Sequence, residues 1–254
     1  MTIPNSIFVS QLYDLIGMPE CPVIIDARIA EDFDDDPRII AGALKRDFDR
    51  IDALAEEFPQ AHLLIYCQKG FKISQGTAAL LREKGIRASF LVGGHFAWRD
   101  AGLPMVTASK VPRSANESHS LWVTLHRPQM DHLACSWLIK RLVDPKAKIL
   151  FVEPSQVMNV ADRFNATSFG IDNAAFARDD QHSCFAVMLD EFGLIGDSLS
   201  ILANIVSNRP DPAPETAGLR AALSGLSLIH QDDLDLLDAG MAVYDSYYRW
   251  ACKL

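Results

Sequence analysis

Short apolar runs alternate with segments of helical periodicity over the first 105 residues of the chain. Three runs rich in β-branched and aromatic residues predict strands, and two segments between them have the spacing of amphipathic helices. In chain order these elements are the strand CPVIIDAR, the helix IDALAEEF, the strand HLLIYC, the helix SQGTAALLREKG and the strand SFLVGG. This alternation is typical of an α/β domain with a parallel sheet flanked by helices.

The helix predicted at 74–84 has the clearest end signals. Ser74 is expected to cap its start, and Gly85 suits a left-handed exit from its last turn. Cys67 therefore falls where a predicted strand ends, and the loop after it leads into a helix.

From Pro104 the alternation stops in a polar stretch with two prolines and several serines, PMVTASKVPRSANESHS. Such a composition predicts a linker. We therefore predict a first domain at 1–110, a linker at 111–120 and a second domain at 121–254.

The second domain begins with a predicted strand, LWVTLHR, a helix, DHLACSWLIKRLVD, and another strand, AKILFVE. Helical spacing then dominates to the end of the chain, at residues 182–192, 197–207, 215–226 and 231–250. The pattern predicts a mainly α-helical α+β domain with a small sheet.

Composition narrows the function classes. A net charge of −9 over 254 residues offers no basic patch for phosphates, so we expect no nucleic-acid partner. The first residues lack the features of a signal peptide, and no apolar run is long enough for a membrane helix, so we expect a cytoplasmic protein without a membrane partner. The five cysteines contain no C-x-x-C pair, which favours free thiols over a disulfide framework or a cysteine-rich zinc site.

Cys67 has the surroundings of a nucleophile. The loop after it consists of Gln68, Lys69, Gly70, Phe71 and Lys72. Because the glycine can take a positive φ, successive backbone amides could curl around one anionic atom, and the helix N-terminus and the two lysines would favour the thiolate, the form that attacks. The alternative is that Cys67 is a small apolar residue at the end of a core strand.

Residues 1–105 resemble a rhodanese domain. Three stretches carry the resemblance: VIIDARIAEDF with RIIAGA at 23–43, CQKGFK at 67–72 and FLVGGHFAWRDAGLP at 90–104. The resemblance implies that Cys67 takes a sulfane sulfur as a persulfide, with residues 68–72 binding an anionic donor such as thiosulfate and a thiol or cyanide as acceptor. It implies no cofactor and no metal for this reaction.

The resemblance also assigns other residues of this domain. Asp26 and Arg28 match a charge pair near the site, which we interpret as scaffold rather than catalytic residues. Trp98 is expected to anchor the core, and His95 is expected to be exposed. The usual histidine and proline of one turn are absent from IIAGA, which affects the scaffold. Phosphatases with a related fold close the cysteine loop with an arginine six positions later, but position 73 is Ile, which disfavours phosphoester hydrolysis.

Residues 120–251 resemble the C-terminal domain of bacterial chromate-resistance proteins. Three stretches carry this resemblance: HRPQMDHLACSWLIKRLVDPKAKILFVE, HSCFAVMLDEFGL and LIHQDDLDLLDAGMAVYDSYYRW. Asp131 and Cys135 share one helix face, with Arg127 just upstream, so the three groups could converge on a metal or an oxyanion. The alternative is a core position for Cys135 and a capping role, or a pairing with Arg141, for Asp131. Cys184 is interpreted as a core residue.

Three functions remain open on the sequence, and the first two belong to different classes. The first is a sulfurtransferase that acts through Cys67 and is linked to chromate or oxyanion resistance. The second is a sensor or scaffold that binds an oxyanion or a persulfide without turnover. Reduction of chromate by the thiols is a third. The sequence does not reveal the physiological donor and acceptor, the metal content of the second domain or the oligomeric state.

Overall fold

The computed structural model describes residues 4–112, 119–178, 182–207 and 211–254. The chain divides into two compact units, one up to Ser109 and one from Lys110 onward. Of the predicted linker at 111–120, residues 113–118 lie outside the described part, as do residues 208–210 between the predicted helices at 197–207 and 215–226.

The first unit is an α/β domain on a parallel sheet, as predicted. Its elements are β1 (Ser6–Ile7), α1 (Val9–Tyr13), β2 (Val23–Asp26), α2 (Ala30–Asp35), β3 (Arg38–Ile40), β4 (Leu44–Lys45), α3 (Ile51–Glu57), β5 (Leu63–Tyr66), α4 (Lys72–Glu83), β6 (Ala88–Leu91), α5 (Gly94–Asp100) and β7 (Met105–Thr107). Five strands form a sheet in the order β1-β6-β5-β2-β4, and every pair in it is parallel. β3 and β7 form a separate antiparallel pair.

The central strand β5 is buried at all four of its positions. A strand with both faces covered needs a continuous apolar run, which is why the run around HLLIYC indicated a strand of a parallel sheet. The core of this unit joins side chains of β2, β4, β5 and β6 to α3 and α4. The end of β5, and with it Cys67, therefore lies in the middle of one edge of the sheet.

Ser74 does not cap α4, so that prediction was wrong. The helix begins two residues earlier, at Lys72, and Phe71 occupies the N-cap position. Ser74 is fully buried inside the first turn, and its hydroxyl oxygen lies 3.3 Å from the sulfur of Cys67. The early start brings the helix N-terminus closer to the cysteine than the sequence indicated.

The second unit is helix-rich with a small sheet, again as predicted. Its elements are β8 (Leu121–Leu125), α6 (Met130–Leu138) continued by a π-helix (Ile139–Val143), β9 (Lys148–Val152), α7 (Val157–Phe164), β10 (Thr167–Ser168), α8 (Cys184–Phe192), α9 (Asp197–Val206), α10 (Pro214–Ile229) and α11 (Asp233–Ala251). Its three strands are parallel, in the order β10-β8-β9.

α6 and α11 form the centre of this unit. The indole nitrogen of Trp137 donates to Asp245 at 2.9 Å, and the guanidinium of Arg141 pairs with the same carboxylate at 2.8 Å. Gly240 lets α11 approach α6 closely, because a Cβ there would lie 3.3 Å from both methyl groups of Leu133. Arg141 therefore pairs with Asp245 and not with Asp131.

No helix among the described residues is long and apolar enough to cross a membrane.

Candidate functional site

Cys67 follows the last residue of β5, at the carboxyl edge of the sheet. Ligands of parallel sheets collect at this edge, because loops and helix N-termini meet there. Cys67 is 5 % exposed, and the one polar side-chain contact of its sulfur among the described residues is the hydroxyl of Ser74. A hydroxyl at 3.3 Å can donate to a sulfur anion.

Two glycine turns hold the cysteine loop by direct backbone contact. Gly70 has a φ of +70° and Gly94 a φ of +58°, a region that residues with a Cβ rarely enter. A Cβ on Gly94 would clash with the carbonyl oxygen of Cys67 and with the amide nitrogen of Gly70. The loop after β5 and the start of α5 therefore touch with no space for side chains between them.

The first turn of α5 also binds the cysteine loop by hydrogen bonds. The amide of His95 donates to the carbonyl of Cys67 at 2.9 Å, and the amide of Phe96 donates to the carbonyl of Gln68 at 3.0 Å. These bonds fix the backbone of the cysteine from the carbonyl side, so its position depends on α5 as well as on β5.

The backbone amides of residues 68–72 make no hydrogen bond to any other described residue. The side-chain amide of Gln75 instead donates to the carbonyl of Gly70 at 3.0 Å. Lys69, Phe71 and Lys72 are exposed around the loop. Unpaired amides at the start of α4, with two ammonium groups nearby, form a surface suited to an anion.

Asp26 and Arg28 form a fully buried ion pair beside the site. A terminal nitrogen of Arg28 lies 2.6 Å from Asp26, and both side chains are 0 % exposed. Arg28 also donates to the carbonyls of Asp36 at 2.7 Å and Arg38 at 2.8 Å, so each arm of its guanidinium is bound. A charge pair with this many partners fixes local geometry, in line with the scaffold role predicted for it.

The expectation that His95 is exposed was wrong, since its side chain is 1 % exposed. Its Nε2 lies 3.1 Å from a carboxylate oxygen of Asp36 and 3.4 Å from Arg28, and its ring stacks on Tyr66. Burial and the nearby charge of Arg28 lower the pKa of His95 below its ordinary value, against the attraction of Asp36. The predicted core position of Trp98 is confirmed, with its indole nitrogen bound to the carbonyl of Pro104.

In the second unit, Asp131 caps a helix other than its own. Its two carboxylate oxygens accept hydrogen bonds from the amides of Cys184 at 3.0 Å and Phe185 at 3.1 Å, the first residues of α8. Burial raises the pKa of Asp131, and these two bonds oppose the rise. The carboxylate therefore joins α6 to the positive end of the α8 dipole.

Cys135 and Cys184 are both 0 % exposed. The sulfur of Cys135 lies 3.9 Å from Asp131, and that of Cys184 donates to the carbonyl of Phe176 at 3.2 Å. Burial, and after it contact with the Cys184 thiol, raises the pKa of Cys135. The core position predicted for Cys184 is confirmed, but its proximity to Asp131 and Cys135 was not anticipated, because no local pattern links residues about 50 positions apart.

Arg127 does not converge with Asp131 and Cys135, so that part of the predicted cluster was wrong. Its guanidinium donates to the carbonyls of Ser227 and His230 at the end of α10, the latter at 2.7 Å. The end of a helix leaves carbonyl groups unpaired, and an arginine satisfies several of them at once. Among the described residues, no group of three or more His, Cys, Asp or Glu side chains is arranged to hold a metal ion.

Two families match this chain. Residues 8–101 match the rhodanese-like domain, and residues 122–251, just over half of the chain, match the ChrB C-terminal domain. Protein ChrB of Cupriavidus metallidurans is 31% identical over 153 residues, which are 58% of this chain and 46% of that protein. The match thus spans about half the length of that relative.

Solved structures from several organisms are similar to about two fifths of this chain. A protein of unknown function from Rhodopseudomonas palustris, titled a possible tyrosine phosphatase, is 21% identical over 40% of this chain and 83% of its own, with a TM-score of 0.35. A rhodanese-related protein from Thermoplasma volcanium is 20% identical over 41% of this chain and 98% of its own, with a TM-score of 0.33. A thiosulfate sulfurtransferase from Pseudomonas aeruginosa is 23% identical over 40% of this chain and 19% of its own, with a TM-score of 0.35.

Proposed function

We propose that this chain, which belongs to the family of the ChrB C-terminal domain and carries a rhodanese-like domain ahead of it, is a sulfurtransferase that acts through Cys67. The sulfur donor would be thiosulfate or a persulfide, and the acceptor a thiol or cyanide. The proposed setting is resistance to chromate or related oxyanions, which are tetrahedral dianions like thiosulfate.

The proposed reaction has two displacement steps. The Cys67 thiolate attacks the outer sulfur of thiosulfate, a new S–S bond forms, and sulfite leaves with the electron pair of the old one. An acceptor thiolate then attacks the terminal sulfur of the cysteine persulfide, and the Cys67 thiolate leaves. Each step conserves charge and electrons, so no further reactant is needed.

One observation carries this proposal: Cys67 directly follows β5 and precedes a loop, residues 68–72, whose backbone amides have no hydrogen-bond partner among the described residues. A persulfide is anionic, and unpaired backbone N–H groups with fixed positions stabilise developing charge without reorganisation. The hydroxyl of Ser74 supplies a further donor at 3.3 Å from the sulfur. Lys69 and Lys72 provide positive charge for an anionic donor.

The direct test is to incubate the protein with thiosulfate and cyanide and to follow thiocyanate. We expect turnover in the unsubstituted protein, one added sulfur atom in its intact mass after thiosulfate alone, and neither in Cys67→Ser. Cys252→Ser is the matched control, because Cys252 is exposed and lies in the other unit. It is expected to keep full turnover.

Two results would count against the proposal. If Cys67→Ser turns over as fast as the unsubstituted protein, the site is elsewhere. If the protein binds thiosulfate stably without forming thiocyanate or a persulfide, it acts as a sensor or scaffold.

A further inference from the structure

His95 is a buried polar side chain with one unused nitrogen. Its Nδ1 is the one buried side-chain nitrogen or oxygen in the described part of the chain without a hydrogen-bond partner. Buried polar groups are nearly always paired, so an exception at 1 % exposure calls for a physical reason.

The residue touches the end of β5 in two ways. Its amide donates to the carbonyl of Cys67 at 2.9 Å, and its ring stacks on Tyr66 with 6.5 Å between centroids. It is also the first residue after Gly94, whose backbone contacts the cysteine loop directly. The backbone of His95 therefore helps to hold the cysteine, and its side chain rests on the preceding residue.

Several charged and titratable groups face the imidazole, and they come from different elements. The end of β2 and the residues after it supply Asp26 and Arg28, the loop after α2 supplies Asp36, and β5 supplies Tyr66. Asp36 is shared, because Arg38 also pairs with it at 2.7 Å. One oxygen of Asp36 thus serves both a guanidinium and the imidazole.

The neutral imidazole fits this environment better than the charged one. In the neutral ring, Nε2–H donates to Asp36 and Nδ1 is an acceptor without a donor. Leaving this acceptor unpaired costs less free energy than burying the unpaired Nδ1–H of the charged ring. Protonation would instead bury a positive charge 3.4 Å from Arg28, whose own charge is already matched by Asp26.

We infer that neutral His95 is a positioning residue for Cys67, and that protonation of its ring loosens the first turn of α5 and with it the cysteine loop. The inference rests on the proposed function in one respect, since it treats Cys67 as the reacting thiol. On this inference, the rate of sulfur transfer falls on mild acidification because the cysteine loop is held less firmly.

Hydrogen exchange of the amides of His95 and Phe96 measures the loosening directly, because these amides hold the carbonyls of Cys67 and Gln68. We expect their protection, corrected for the intrinsic effect of pH on exchange, to fall about tenfold between about pH 7.5 and about pH 5.5. In His95→Phe, which keeps a ring over Tyr66 but has no nitrogen, protection should already be low at the higher pH and should not change further.

Two variants serve as references. His95→Gln keeps an amide donor for Asp36 and is expected to restore most of the protection without its pH dependence. His62→Phe is the matched control, because His62 precedes β5 at its opposite end and its pKa is also lowered by burial. It should leave the exchange of residues 95 and 96 as in the unsubstituted protein.

The outcomes separate this inference from the proposed function. If protection in the unsubstituted protein is the same at both pH values, the inference is wrong, whether or not the variants fold. If thiocyanate forms but the acid limb of the rate profile is identical in His95→Phe, the inference alone fails. If protection behaves as expected but no thiocyanate forms, the sulfurtransferase proposal fails and the positioning role of His95 stands.

Discussion

Ser74 is the side chain that most directly touches the proposed nucleophile. Its hydroxyl lies 3.3 Å from the sulfur of Cys67, and both groups are buried. A buried hydroxyl in this position has two acceptors within reach, the sulfur and the carbonyl of Phe71 at 3.4 Å. Because an anionic sulfur is the stronger acceptor, the hydroxyl contributes most when the thiolate or the persulfide is present.

We therefore predict that Ser74→Ala lowers kcat/KM for thiosulfate about three- to tenfold, the value of one hydrogen bond of about 0.5–1.5 kcal/mol. Thiocyanate assays measure the rate, and urea unfolding measures any change in stability. Gly76→Ala is the control, because a Cβ there meets nothing within 4 Å. It should stabilise the helix by up to about 1 kcal/mol and leave turnover unchanged. An unchanged rate in Ser74→Ala would contradict the prediction.

At the scale of elements, one carboxylate of α6 binds the start of α8. Asp131 satisfies the amides of the first two residues of α8, Cys184 and Phe185. No other described side chain except that of Ser183, which binds the amide of Ala186, caps this helix start. The buried thiol of Cys135 lies 3.9 Å from the same carboxylate, while the buried thiol of Cys184 donates to the carbonyl of Phe176.

We predict that Asp131→Ala lowers the free energy of unfolding of the second unit by about 1–2 kcal/mol, because two amides lose their acceptor. Asp131→Asn, which keeps one acceptor oxygen, should lose less. The measurement is urea unfolding followed by circular dichroism. Asp190→Ala in α8 is the control, since Asp190 is exposed, and a change beyond about 0.5 kcal/mol is not expected there. Equal losses at both sites would show that the capping bonds do not stabilise the unit.

The sequence predicted the longer elements and missed those whose formation depends on distant contacts. β5 and α4 have clear apolar patterns, and both formed where the pattern placed them, apart from the start of α4. β1, β3 and β7 are two or three residues long, too short for a periodic signal, and exist because a partner strand lies beside them. Cys67 was identifiable because a strand end, a glycine and a helix start are local features.

The burial of His95 and the partners of Arg127 could not be found from local patterns. The burial of His95 depends on Asp36 and Arg28, which lie about 60 positions away in the chain and give no signal near it. Arg127 illustrates the reverse error, because sequence proximity to Asp131 indicated a shared site while the end of α10 offered its guanidinium better partners. Long-range contacts decide such positions, and a single sequence does not encode them as a local pattern.

At the scale of the whole molecule, three partly or fully buried histidines link stability to pH. Burial lowers the pKa of His62 and His95 in the first unit and of His132 in the second. A lowered pKa means that the folded state binds fewer protons than the unfolded state. The stability from these groups is therefore present above the ordinary histidine pKa and is lost as the pH falls below it.

We predict that the free energy of unfolding falls by at least about 1 kcal/mol between about pH 7 and about pH 5.5. Urea unfolding at a series of pH values measures it, with tryptophan fluorescence as the signal. A constant or increasing stability over this range would contradict the prediction.

The pairing of β7 with β3 has a mechanical consequence. Thr107 lies opposite Arg38 in this ladder, and the amide of Ala108 binds the carbonyl of Pro37. The chain leaves the first unit through β7, so tension applied beyond Thr107 acts first on the partner strand β3. Asp36, two residues before β3, binds the imidazole of His95. A pull on the downstream chain would therefore act along three hydrogen bonds, from Ala108 to Pro37, between Asp36 and the imidazole of His95, and from the amide of His95 to the carbonyl of Cys67.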